Sequence, residues 1–193
     1  RHEKPSENGL AHLIEHMVFK GTARRDAATI AREIEDVGGH MNAYTSREQT
    51  AYYAKVLADD VPVAVDLIAD IVQNSVFDPA ELERERSVIV QEIAQVNDTP
   101  DDVIFDHFQT AAFPDQGLGR PVLGTSEVVR SVPRQSLVDY VAQSYGGDAC
   151  ILSVAGKVDH DRVVEMAAER FASMPAKTTK TTDAGKYTGG EIR

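Results

Sequence analysis

The chain has 193 residues, enough for one sizeable core, and its 42% hydrophobic and 26% charged content is ordinary for a globular protein. A formal net charge of −11, spread along the chain, leaves nothing to neutralise phosphates and argues against nucleic acid; no apolar run approaches the length of a membrane span. The single cysteine, Cys150, excludes an internal disulfide.

Residues 8 to 20 read as a helix ended by Gly21, where a left-handed backbone costs glycine little. Asp26 is placed as the N-cap of a second helix, Ala27 to Val37, stopped by Gly38 and Gly39. Met41 to Ser46 and Thr50 to Leu57 are β-rich runs around a polar Arg47–Gln49 connection, and they predict an antiparallel hairpin. Asp60 to Gln73 has apolar residues at helical spacing. Asp78 caps a long helix from Pro79 to Asn97, and a further helix runs from Asp101 to Phe113. FPDQGLGRPVLGT reads as a Gly/Pro-rich loop. Pro133 to Tyr145 is predicted helical, ACILSVAGKV a buried strand, and His160 to Phe171 a last helix. This order predicts an α+β fold, an antiparallel sheet covered by helices, in one domain over residues 1–193. The chain opens on RHEKPSEN without an initiator Met and closes on DAGKYTGGEIR, a strand-like start that stops. It reads as a piece cut at both ends, with no targeting segment to interpret.

The first helix raises the functional question. In GLAHLIEHMVFKGT, His12 and His16 lie four residues apart inside an apolar run, with Glu15 beside the second. Positions i and i+4 share a helix face, so two imidazoles so placed can chelate one ion. The adjacent carboxylate can act on water without being a ligand. This is the logic of the HExxH metallopeptidase helix with its order reversed, although two satisfied histidines on a helix face would look the same.

An open catalytic zinc site needs a third protein ligand. His2 and His40 are poorly placed for it. The long helix offers Glu85 and Glu92, two turns apart on a stripe read as Val88, Ile89 and Val96. Carboxylates on a buried stripe are costly unless paired or bound to metal. The bland alternative is an exposed stripe edge paired with Arg84 and Arg86. Two acids on one core face and two histidines on another would complete a His-His-Glu site.

With these motifs, GGHMNAYTSREQTAYYAKV, ERERSVIVQEI and GRPVLGT taken together, the sequence resembles the inverted-motif zinc peptidases of pitrilysin, insulin-degrading enzyme and mitochondrial processing peptidase. The nearest likeness is to the β-type processing subunit and its bacterial relatives. The resemblance spans nearly the whole chain. It implies His12, His16 and Glu92 as ligands of one Zn²⁺ per chain, Glu15 as general base, and Glu85 as an additional acid supporting catalysis. It also implies that Asn42 and Ala43 lie on an edge strand that receives the substrate backbone by β-augmentation. The activity implied is hydrolysis of peptide bonds in oligopeptides or presequence-like segments. A second homologous domain or subunit is implied to complete the chamber with an Arg-Tyr pair that has no counterpart in this sequence. The strand expected ahead of the HLIEH helix has none either, so the chain reads as the truncated first domain of a larger protein. The compartment favoured is the bacterial cytoplasm, ahead of the mitochondrial matrix or the periplasm. The rival reading is a non-catalytic scaffold or partner subunit of the same family; such relatives typically have a broken HxxEH motif, which is intact here.

Overall fold

The computed structural model describes residues 1–179 and 184–189. The first helix, α1 (Leu10–Val18), is two residues shorter at each end than its periodicity predicts. Its start is fixed from outside the helix. The Glu3 carboxylate accepts hydrogen bonds from the backbone N–H groups of Gly9 at 3.1 Å and Ala11 at 2.7 Å. Those donors have no partner within the helix, and a negative charge there also meets the positive end of the helix dipole. Gly9 enters at φ 93° and lies back to back with Gly124 at φ 78°. A Cβ on Gly9 would sit 2.4 Å from the Leu123 carbonyl oxygen, and one on Gly124 would sit 2.2 Å from that of Asn8. The GRPVLGT loop is thereby locked onto the head of α1.

Helix α2 (Ala27–Asp36) is capped by Asp26, whose carboxylate accepts the Thr29 N–H at 2.7 Å. Strands β1 (His40–Thr45) and β2 (Thr50–Lys55) form the antiparallel hairpin, in a register that pairs Asn42 with Tyr53 and Ala43 with Tyr52. Then follow α3 (Val61–Asn74), α4 (Pro79–Asn97), α5 (Pro100–Ala112), α6 (Ser126–Ser131), α7 (Arg134–Ser144) and α8 (His160–Arg170). Asp78 caps α4 as expected, through the N–H groups of Ala80 and Glu81. The α+β class stands: helices predominate over a small antiparallel sheet. No helix among the described residues is long and apolar enough to cross a membrane.

The core is organised on α1. Leu10, Leu13, Ile14 and Met17 are buried at helical spacing and meet Ile71 of α3, Leu82 and Ile89 of α4, and Val129, Val132 and Leu137 further on. Each such side chain contributes roughly 1.5–3 kcal/mol on burial. That burial fixes the rotation of α1 and leaves His12 and His16 on the flank that looks toward α4.

Three expectations change. Residues 149–158 form no strand; they are mostly exposed, Ile151 to 94%. An extended segment needs a neighbour for its N–H and C=O groups, and the sheet of described residues contains only β1 and β2. Helix α6 was not foreseen, because six residues are too few to show a period. The buried stripe of α4 is Leu82, Glu85, Arg86 and Ile89, while Val88 is 40% exposed. Arg86 is buried because its guanidinium donates to the carbonyls of Val129 and Val132, tying α4 to the C-terminal end of α6. The strand-like ending read in DAGKYTGGEIR falls partly on residue 183 and residues 190–193, outside the described set; residues 184–189 form no strand.

Candidate active site

Helices α1 and α4 bring three ligand-type side chains to one point. Glu92 Oε2 lies 3.8 Å from His12 Nε2 and 3.6 Å from His16 Nε2. One ligand atom from each of the three residues falls within 4.8 Å of the others. The imidazoles meet edge to face, with centroids 4.6 Å apart, as i and i+4 neighbours on one helix must. Burial, reinforced by the neighbouring His16, pulls the His12 pKa down to about 4. His12 is therefore neutral at ordinary pH, the form in which an imidazole ligates metal.

The donor set fits zinc. Two nitrogens and one carboxylate oxygen are the ligand types of a three-protein-ligand site with an open fourth position. Two buried polar atoms here lack a hydrogen-bond partner, His12 Nδ1 and Glu15 Oε2. Buried groups of this kind are costly to leave unpaired. Glu15, one residue before His16, thus carries a buried carboxylate oxygen with no partner of its own.

Glu85 occupies a different position from Glu92, although both were expected to face one site. Its Oε2 lies 2.9 Å from His16 Nδ1, the ring nitrogen that faces away from Glu92, and its Oε1 lies 2.7 Å from the ammonium of Lys20. Burial works against the charged form of Glu85, but Lys20 and His16 outweigh it and hold the carboxyl below the usual range. The arginines weighed as its partners are engaged elsewhere, Arg84 with Glu81 and Arg86 with Glu83. Lys20 was not singled out from the sequence. Its signal was the spacing of four from His16, which turns both onto the same side of the chain.

Asn42 and Ala43 lie on β1, which packs against α1 as well as β2. The Asn42 side chain is exposed and its Oδ1 accepts the Ala43 N–H at 2.8 Å. On β2 and at the end of α7, the hydroxyls of Tyr52 and Tyr145 are 2.8 Å apart. Burial raises both phenols above their usual range, and the charge of Glu15 pushes the same way.

Comparison with known proteins extends this picture. The family model described as insulinase (peptidase family M16) matches residues 1–126, and a second, described as the peptidase M16 inactive domain, matches residues 131–192. All the converging residues lie in the first match. An uncharacterized zinc protease of Rickettsia bellii is 43% identical over 98% of this chain and 46% of its own length. The mitochondrial-processing peptidase subunit beta of Bos taurus is 44% identical over 100% of this chain and 40% of its own. The chain thus spans less than half the length of these relatives. A protease from Helicobacter pylori shares the fold at a TM-score of 0.86, with 22% identity, covering 95% of this chain and 45% of that one. With the insulinase model covering well over half of its residues, the chain belongs to the M16 family of peptidases.

Proposed function

We propose that the protein carrying this chain is a zinc-dependent endopeptidase in which His12, His16 and Glu92 hold one Zn²⁺ and Glu15 is the general base. The observation that carries this reading is the convergence of those three ligand atoms, with Glu15, one residue before His16, holding a buried carboxylate oxygen that has no hydrogen-bond partner. Zinc, when bound, supplies Lewis-acid chemistry at the scissile carbonyl. The rest falls to side chains. Glu15 takes a proton from the attacking water and returns it to the leaving amine. Glu85 accepts from His16 Nδ1 and so keeps the lone pair of that ring on Nε2, toward Glu92. Asn42 and Ala43 offer the backbone edge that aligns an extended substrate, once the Asn42 amide gives up the Ala43 N–H.

Residues 1–193 are read as one metal-bearing domain, because the core runs without a break from Leu10 to Tyr140, across the junction of the two family matches. A second homologous domain or subunit is proposed to close the chamber; the name of the bovine relative, a subunit, supports this. The substrates proposed are oligopeptides and presequence-like segments, in keeping with the processing peptidases among the relatives and the −11 charge.

The test is metal content alongside cleavage of a peptide library by the full-length protein and two variants. Wild type should hold about one zinc per chain. Glu15→Gln should keep the zinc and lose hydrolysis by about a hundredfold or more. Glu92→Ala should lose the metal. Zinc at full stoichiometry in Glu92→Ala would overturn the ligand set. Hydrolysis intact in Glu15→Gln would overturn the base, and zinc without hydrolysis in the wild type would favour a scaffold.

A further inference from the structure

His16 and Lys20 lie on opposite sides of one buried carboxylate. Glu85 has 9% of its side chain exposed, and each of its oxygens has one close partner: Oε2 the His16 Nδ1 at 2.9 Å, Oε1 the Lys20 ammonium at 2.7 Å. Lys20 itself is one turn beyond His16, in the turn that follows α1, where its backbone N–H still bonds the Met17 carbonyl at 3.1 Å. A cation just past a helix C-terminus is favoured there by the last carbonyls and the helix dipole. The same two residues of one helical turn thus grip a single side chain that arrives from α4.

We propose that Lys20 is a positioning residue for the metal site, acting through Glu85 to set the orientation and tautomer of His16. The inference rests on the zinc reading above and extends it by one residue outward.

Lys20 acts through Glu85. Removing the cation of a buried pair leaves an uncompensated charge, and His16 alone would then face it. Without Lys20, the Glu85 carboxylate would lower its energy by swinging toward water, and His16 Nδ1 would lose its acceptor. Nothing would then hold the ring proton on Nδ1, and part of the population would carry it on Nε2, the nitrogen that points at Glu92. A metal would have to displace that proton and reorient the ring. Outer partners of ligating histidines typically govern metal affinity by tenfold to a hundredfold. Arginine in place of lysine keeps a cation able to reach one carboxylate oxygen, whereas methionine keeps the stem and removes the charge.

Two measurements on the full-length protein test this. The first is zinc affinity by competition with a chelator, for wild type, Lys20→Met, Lys20→Arg, Glu85→Gln and the Lys20→Met/Glu85→Gln pair. Lys20→Met should weaken zinc binding about tenfold, and Lys20→Arg should restore most of it. In the Glu85→Gln background, Lys20→Met should change affinity by less than about twofold, because the route of action is gone. The second is the tautomer of His16 in the metal-free protein, read from its ring-nitrogen chemical shifts, with thermal unfolding of the same samples as a check on folding. Wild type should show the proton on Nδ1 and Lys20→Met a mixture. Undiminished affinity in folded Lys20→Met, an equal loss in both backgrounds, or an unchanged His16 tautomer would overturn the proposal. If wild type takes up no zinc, the metal reading falls, and the tautomer measurement alone decides the role of Lys20.

Discussion

Asp70 shows how much a single side chain can hold. It has no exposed side-chain surface, and four donors meet its carboxylate: Thr22 at 2.8 Å, Arg25 at 2.7 Å, Asn74 at 2.9 Å and Arg24 at 3.2 Å. Burial alone would raise its pKa, but these bonds, Arg25 foremost, outweigh it and hold the carboxyl below the usual range. Truncating it leaves the two arginines with Asp66 but removes the buried acceptor of Thr22 and Asn74, so Asp70→Ala should cost about 1–3 kcal/mol in denaturant unfolding. The pH dependence has a definite sign. Between the depressed folded value and the unfolded value near 4, the unfolded chain binds a proton that the folded chain refuses, so stability rises with pH there. This contribution is full above about pH 4 and is lost as the pH falls through the folded value. Unfolding of Asp70→Ala followed from pH 6 to pH 3 should lack that component. Little of this was legible in the sequence, since three of the four partners come from a loop more than forty residues earlier. His12, Glu15 and His16 were legible for the opposite reason: their relation lies within one helical turn.

Among the elements, helices of nine residues or more and the β1–β2 hairpin were readable, whereas the six-residue α6 and the segment 149–158 were not. A helix satisfies its own backbone, so caps such as Asp26 and Asp78 and a hydrophobic period announce it locally. The segment 149–158 has the composition of a strand, but a strand is defined by its neighbour, which composition does not supply. On α4 the sequence points correctly to Glu85 and Ile89, but it puts Val88 on the buried stripe and Arg86 at its edge as a pairing partner. The buried place of Arg86 depends on two carbonyls at the C-terminal end of another helix. Arg86→Met should therefore destabilise by about 3 kcal/mol, leaving those carbonyls unpaired, as chemical denaturation would register. The loop that caps α1 makes a similar demand. Gly124→Ala combines a left-handed backbone with a methyl group driven against the Asn8 carbonyl, and a loss of about 2 kcal/mol is expected in thermal unfolding.

At the scale of the molecule, one core joins α1 to α7 and supports a site assembled from distant sequence. His16 and Glu92 are far apart along the chain yet meet within 3.6 Å. A zinc held between them would do what a disulfide does in a secreted protein: close a long loop and remove freedom from the unfolded chain. Unlike a disulfide, this cross-link would come away on dialysis. Its contribution would grow with the logarithm of free metal, by about 2.7 kcal/mol at a hundred times the dissociation constant. Melting should accordingly rise with added zinc and fall with chelator, and Glu92→Ala should be insensitive to both. Such a chain would report the zinc supply around it through its own lifetime, persisting where the metal is plentiful and yielding to proteolysis where it is scarce.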